Sequence, residues 1–533
     1  MLCLLFLARG IEKPIERVVV SRDHAGASET QPNAEETARL TAEAQRTQRE
    51  RAGATPAAGQ KARGMTGLLP KENDVNEAGK LDRGLGLIEA TSLNMTFMVG
   101  IGPFVVIPFV IQAVGGPGSL LAWAAGALLA VFDGCIWAEL GAAMPQAGGS
   151  YVYLREAYGA QRWGRLLSFL YIWQTLFQGP LSIASGALGF ANYSRYLLEK
   201  SSRAVAIDGA LGTHGDNVIA AAVIVLVVVL LYRRIKEIGR ISVVFSVIVV
   251  GTILWIIWGG AVHLNAQRVF DFSEGGWNWS WLLFAALGHG TVQTIYSYLG
   301  YYNVCNLGGE MQNPEKNIPR AIFISIIGIT ALYLAMQTSI LRVIPWREAA
   351  QSKYLVSTFI ERAYGSQWAT LATALILLTA LGSVFAATLG YSRVPYAAAL
   401  DGNFFSIFAR LHPTKHFPYI ALVALGAAAM IVSLLFSLFS VIRAILAMRC
   451  IIQFIGQGVG LILLRRRWGS DRLPFRMWLY PLPVVAAIIG WTGIFISTGR
   501  TPMLASLAAA TAGILVYLGR ARWMRQWPFE EIA

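Results

Sequence analysis

Charge is scarce in this chain, and much is excluded by what it lacks. Charged residues make up 14% of its 533 residues, where a soluble domain carries roughly 25%. The four cysteines, Cys3, Cys135, Cys305 and Cys450, stand apart, with no CxxC pair and no histidine at metal-ligand spacing. Neither a disulfide framework nor a zinc site is expected from such a pattern. HExxH, GxSxG and the phosphate-binding GxxxxGK are all missing, and the six histidines are scattered. An enzyme of those classes is therefore not expected, nor is any metal or cofactor. ATP-driven transport would need a partner chain to supply the motor. The formal net charge of +14 sits in short clusters between apolar runs, not on one face of a soluble fold, which argues against nucleic acid as a partner.

Long apolar runs are what the sequence has instead. A membrane-crossing helix needs roughly twenty predominantly apolar residues to pass the ~30 Å hydrocarbon core. Runs of that kind lie near 84–113, 119–143, 164–197, 216–232, 240–264 and 280–307. Others follow near 320–344, 368–392, 417–440, 444–464, 476–498 and 501–519. Open sheets cannot satisfy their backbone in lipid, and these runs are too long for barrel strands. The expected fold is an all-α polytopic membrane protein of about twelve transmembrane helices, with the lipid bilayer as its solvent. Residues 1–80 are polar, nearly balanced in acids and bases and poor in aromatics, and read as a disordered tail. The opening Met1–Ala8 is apolar, but it lacks the basic segment that begins a secretory signal. Residues 81–520 form the transmembrane domain, and 521–533 a short C-terminal tail.

Basic residues set the orientation. Arg233, Arg234, Lys236 and Arg240 lie between the fourth and fifth spans, Arg465, Arg466, Arg467, Arg472 and Arg476 between the tenth and eleventh, and Arg520, Arg522 and Arg525 after the twelfth. All three clusters fall on the side of the N-terminus, so both termini are expected in the cytoplasm. Arg347, Lys353 and Arg443 run against the rule.

Two spans are interrupted at matched positions. The first carries Gly100-Ile101-Gly102-Pro103 in mid-run, and the sixth carries Tyr296-Ser297-Tyr298-Leu299-Gly300-Tyr301. Glycine and proline both disfavour helix interiors, and a break is expected between about Val99 and Phe104. Either interruption alone is ordinary in a membrane helix. As corresponding members of two five-span halves, they point to a transporter's central site. A broken helix frees amides, which suit a carboxylate, and carbonyls, which suit an ammonium group. A zwitterionic amino acid presents both. No ionised side chain stands beside either break in spans one and six.

Several segments resemble the amino acid–polyamine–organocation (APC) superfamily of permeases. Gly100-Ile101-Gly102-Pro103-Phe104 is similar to its first-helix motif. The run from Glu139 to Tyr153 (ELGAAMPQAGGSYVY) is similar to its second-helix signature. Tyr298–Tyr301, Asn306–Glu310, Asn313-Pro314 and Ile318–Ala321 resemble its sixth-helix pattern, and Ser392-Arg393 with Ala399–Gly402 the end of its eighth. The resemblance spans about residues 82–520 and implies a LeuT-like five-plus-five inverted repeat plus two helices. It also implies that the backbone of Gly100, Ile101 and Gly102, next to Pro103, holds a substrate carboxylate. Carbonyls near Tyr296, Tyr298 and Leu299, around Gly300, would receive the amine, with Tyr301 or Tyr298 as an aromatic gate. Gly148-Gly149 would form a re-entrant turn. Where many members have Gly-Ser-Gly-Ile, this chain has Gly-Ile-Gly-Pro. The fifth span also lacks the lysine that stands in for sodium in some proton-coupled members.

Ionisable groups within spans are costly and default to functional candidates. Asp133 is a candidate for proton uptake or for pairing with Arg449, His289 is a candidate proton carrier, and Thr379 and Ser383 are candidate oxygen ligands for sodium. Glu89 suits either a salt bridge or a gate. Gln174 and Gln178-Gly179-Pro180 suit either the cavity wall or interhelical bonding. The expected function is a secondary active transporter, symporter or exchanger, of a small-molecule substrate, an amino acid, at the cell membrane. A polyamine or other organic cation is the alternative cargo, and a channel or sensor the alternative class.

Overall fold

A computed structural model describes residues 81–200, 215–262, 281–436, 438–469 and 473–529. The expected tail over 1–80, together with Arg472 and the last four residues, lies outside the described residues.

Among the described residues the regular elements are helices, without a strand. The first span is α1 (Leu87–Val99) and α2 (Gly102–Val114), bent by 44° at their junction. Proline is harmless in the first turn of α2, where Pro103 has no intrahelical partner to lose. There follow α3 (Ser119–Ala143), the short α4 (Ser150–Ala157), α5 (Trp163–Lys200), α6 (Gly215–Leu231) and α7 (Ile235–Val262). The sixth span is α8 (Trp281–Tyr298), which stops at four non-helical residues before a single helical turn, Asn303–Asn306. The break thus falls at 299–302, slightly beyond the tyrosine-rich run. Then come α9 (Pro314–Val343), α10 (Leu355–Tyr364), α11 (Ser366–Leu400), α12 (Tyr419–Leu435) and α13 (Leu438–Arg449). A π-helical turn, Cys450–Ile455, joins α13 to α14 (Gly456–Trp468), and α15 (Leu482–Ser497) and α16 (Arg500–Trp523) finish the fold. Six described helices or continuous helical runs, and one bent pair, are long and apolar enough to cross a membrane, and three shorter apolar helices accompany them. The tenth span begins at Leu438 rather than near 444, and the last helix continues to Trp523.

The broken spans lie against α9, α11, α3 and α5, where the core concentrates. The outer faces of α6, α7, α12, α15 and α16 keep Val229, Val247, Leu435, Ile489 and Leu515 exposed, as expected where lipid is the neighbour.

On the side of the basic clusters, the motif segments knit together. Leu85 donates its N–H to Glu310 at 3.0 Å and accepts one from Gln312 at 2.9 Å, and Gly148 donates to the Asn306 carbonyl at 3.1 Å. Arg393 grips Glu310 bidentately, Nε–Oε2 at 3.0 Å and Nη2–Oε1 at 2.8 Å, with both side chains 1% exposed. Arg465 grips Glu139 the same way at 2.5 and 2.6 Å, and Glu139 also accepts the Met477 amide at 2.8 Å. Arg155 pairs with Asp401. Glu89 caps α1 through the Gly86 amide at 3.0 Å and has no ion pair among the described residues.

Candidate functional site

The two breaks meet at the centre of the bundle. Gly100 takes φ +41°, and a Cβ there would stand 2.7 Å from Ser383 Oγ and 2.9 Å from Ser383 Cβ. An L side chain is strained in that backbone conformation, so glycine is required twice over. Gly300 crosses the first break: at φ +131°, a Cβ would lie 2.9 Å from the Met98 amide nitrogen and 3.0 Å from Phe97 Cγ. The crossing is tied by Asn94 of α1, which donates to the Tyr301 carbonyl at 2.6 Å and accepts the Val304 amide at 3.0 Å. Tyr333 of α9 places its hydroxyl 3.0 Å from the Met98 carbonyl and 3.0 Å from the Ser297 carbonyl, so one group serves the carbonyl ends of both half-helices.

A cavity of about 40 Å³ opens at this crossing. Its walls are Phe97 and Gly100–Gly102 from span one, Ser182, Ser185 and Gly186 from α5, Tyr296 and Leu299 from span six, Ser383 from α11 and Arg449 from α13. That volume holds a few waters, so the helices must part to admit anything larger. The Gly100 amide is already spent on the Thr96 carbonyl at 3.4 Å. The amides of Ile101 and Gly102 open α2 with no backbone acceptor among the described residues. They form the electropositive end of a helix start. Tyr296 points its hydroxyl to Ser185 Oγ at 3.0 Å.

The most consequential wall is Arg449, for which the sequence offers Asp133 as one possible partner. It is 1% exposed. Its guanidinium donates to Ser182 Oγ at 2.6 Å and to the hydroxyls of Tyr302 and Tyr391. Nε is buried without a partner. None of these acceptors is a carboxylate, so a full positive charge faces the cavity with hydroxyls alone. The Asp133–Arg449 pair does not form. Tyr301 and Tyr302 stand between them: Tyr301 donates to Asp133 at 2.5 Å while Tyr302 takes Arg449. The two rings meet edge to face with centroids 5.1 Å apart. Spans one and six bring no ionised side chain to the cavity, and its charge arrives from span ten.

Of the residues singled out in the sequence, the structure brings Gly100, Ile101, Gly102, Tyr296, Leu299 and Ser383 to the cavity. Pro103, Tyr298, Gly300 and Tyr301 lie buried behind its wall. Tyr298 leans on Trp123, its hydroxyl 3.2 Å from the Trp123 carbonyl, and Tyr301 is held by Asp133. Asp133 is buried at 1% exposure, with the indoles of Trp137 and Trp491 close to its carboxyl group, and does not line the cavity. Thr379 turns its hydroxyl to its own helix, 3.0 Å from the Leu375 carbonyl. His289 lies exposed on the outer face of α8, away from the break. Gln174 donates to Gln178 at 3.0 Å and Gln178 to Gln453 at 3.3 Å, an interhelical link and not cavity wall. Ser182, Ser185 and Gly186 escaped the sequence reading. Their spacing of three and four puts small polar residues on one face of a helix, a signal that was present.

The chain matches the amino acid permease family over residues 85–517 and belongs to it. It is similar to human cationic amino acid transporter 4, 27% identical over 384 residues that cover 70% of this chain and 59% of that protein. The chain thus spans about three fifths of that relative's length. It is also similar to the serine/threonine exchanger SteT of Bacillus subtilis (strain 168), 26% identical across 83% of this chain and 98% of the relative. The human cystine/glutamate transporter is 28% identical across 81% and 83%.

Proposed function

We propose that this protein is a secondary active transporter, a symporter or exchanger, that moves amino acids across the membrane by alternating access around the crossing of its two broken spans. The observation that carries the reading is the pairing of a free helix start at Ile101–Gly102 with the buried Arg449 guanidinium on one small cavity. Amides and guanidinium both seek an anion, and the substrate's carboxylate meets that need. Its ammonium group faces the last carbonyls of α8 near Tyr296 and Leu299. The names of the relatives support the class, since each is an amino acid transporter or exchanger.

The alternative cargo, a polyamine or other organic cation, is disfavoured by the same arginine. Such a ligand has no carboxylate to offer, and it would enter a cavity that already holds an uncompensated positive charge. Asp133, the acid that would serve a cation, is occupied by Tyr301 on the far side of the aromatic pair. Among the candidates for coupling to a proton or sodium, Ser383 alone touches the cavity. The basic clusters support cytoplasmic termini.

Uptake by proteoliposomes of a radiolabelled amino-acid panel plus putrescine, under imposed proton or sodium gradients, tests the reading. Saturable amino-acid uptake is expected. Uptake of putrescine alone would overturn the carboxylate assignment, and currents that follow ion gradients without saturation would replace the transporter with a channel.

A further inference from the structure

A second, much larger crevice lies away from the substrate cavity. It measures about 520 Å³ and is formed between α5, α16 and the segment after α11. Phe169, Trp173 and Leu176 form one wall, spaced three and four apart on a single face of α5, while Val516 and Arg520, four apart, form the other. Phe404 closes its end. Leu176 and Val516 are 41% and 45% exposed. Both lie on outward faces, and α16 is among the helices long and apolar enough to cross a membrane, so the crevice opens sideways into hydrocarbon.

One end of this apolar slot is basic. Arg520 donates to the Gly402 carbonyl, and its guanidinium lies 5.9 Å from the Phe169 ring centroid. Arg165 lies one turn before Phe169 on the same face of α5. No carboxylate pairs with either arginine among the described residues, since the nearby Asp401 is taken by Arg155. Trp163 and Trp527 pack at 4.7 Å just beyond, and Trp523 is 88% exposed. Tryptophans gather at the level of lipid headgroups, which puts the arginines at phosphate depth.

We infer that this crevice is a binding site for one anionic phospholipid, its acyl chain lying between α5 and α16 and its phosphate on Arg520 and Arg165. Charge complementarity chooses the occupant. Two neighbouring guanidiniums without an acid attract an anion, and basic pockets between helices at the cytoplasmic surface are suited to anionic headgroups. The apolar walls require that the anion carry a hydrocarbon tail. Trp173 donates its indole N–H to the Ala509 carbonyl at 2.9 Å, so the lipid would rest on a seam that already ties span three to span twelve. Span three also supplies Ser182 and Ser185 to the substrate cavity.

Native mass spectrometry of the full chain in detergent, titrated separately with phosphatidylglycerol, phosphatidylcholine and soluble glycerol phosphate, tests the inference. One tightly retained phosphatidylglycerol per chain is expected, with phosphatidylcholine lost readily. Arg520→Gln should weaken retention by about five-fold, and Arg520→Lys should keep most of it. Leu176→Trp, at an exposed position where folding is little affected, should block the crevice with Arg520 intact. Equal retention of both lipids, or parental retention in both Arg520→Gln and Leu176→Trp, would overturn the inference. So would displacement of the lipid by glycerol phosphate, which would reassign the arginines to a free phosphate.

Discussion

Replacing Arg449 by glutamine separates the part this residue plays in binding from the part it plays in folding. In the substrate-free protein the guanidinium is buried with only Ser182, Tyr302 and Tyr391 as acceptors and with Nε unpartnered. A buried charge without a counter-charge costs several kcal/mol of desolvation, and its three hydrogen bonds to neutral hydroxyls offset that cost in part. Glutamine removes the charge and can still bond one hydroxyl, so the two changes oppose each other and the substrate-free melting temperature should move little. Binding has no such compensation. A hydrogen bond to a charged group contributes about 1.5–3 kcal/mol, so affinity should fall about ten- to hundred-fold. The effect can be read without transport. A substrate present at a thousand times its Kd stabilises the folded state by about 4.1 kcal/mol, and a ten-fold loss of affinity cuts that to about 2.7 kcal/mol. Thermal unfolding of detergent-solubilised protein, with and without the substrate identified by uptake, measures the difference. Arg449→Lys should recover part of the loss, since it restores the charge but not the planar fork. If both variants keep the parental substrate-induced shift and the parental KM, Arg449 does not hold the carboxylate.

Three further outcomes follow from the geometry. Gly102→Leu puts a side chain where a Cβ already meets Ser297 Oγ at 3.2 Å and Tyr296 Cε1 at 3.4 Å; binding should be lost while the protein still inserts, and normal uptake would refute the placement of the site. Asp133→Asn keeps an acceptor for Tyr301 and should retain amino-acid uptake, whereas its abolition would return the organic-cation reading to favour. Arg393→Gln strands Glu310 in the interior and should destabilise the protein by about 3–5 kcal/mol, measured as a fall in melting temperature, with Glu310→Gln in the same chain recovering part of it.

The fold was legible because bilayer thickness imposes a length on apolar runs that few other structures share. The break in span one was legible for a local reason: Gly100 and Pro103 leave their mark in any sequence. In span six the aromatic run drew attention to Tyr298 and Tyr301, yet the chain leaves the helix only after Tyr298, which turns both of those rings into the packed wall. Arg449 could be seen as an isolated charge in span ten, but its direction depended on helices far apart in sequence, and of the two roles open to Asp133 the pairing with Arg449 is the one the fold does not form. Thr379 and Ser383 share a helix and a chemistry. One is spent on its own backbone and the other faces the site, a difference of one turn position that a hydroxyl count does not reveal.

The π-helical turn Cys450–Ile455 follows Arg449 directly and gives span ten a tolerance to a one-residue change of chain length at that point. Such a turn accommodates one residue more than the surrounding helix, and each residue of an α-helix advances the face by about 100°. Deleting one residue from 450–455 would leave a longer, more regular α-helix, with Gly456, Gly458 and Gly460 still packed as they are. Because the turn already absorbs that residue, Arg449 would stay on the face that meets Tyr302 and Tyr391, whereas a deletion from the regular α-helix beyond the turn would swing it by about 100° relative to the residues that follow. An insertion–deletion event confined to the turn would therefore leave the charge in the site, while the same event one turn further along would remove it without touching any residue that forms the site.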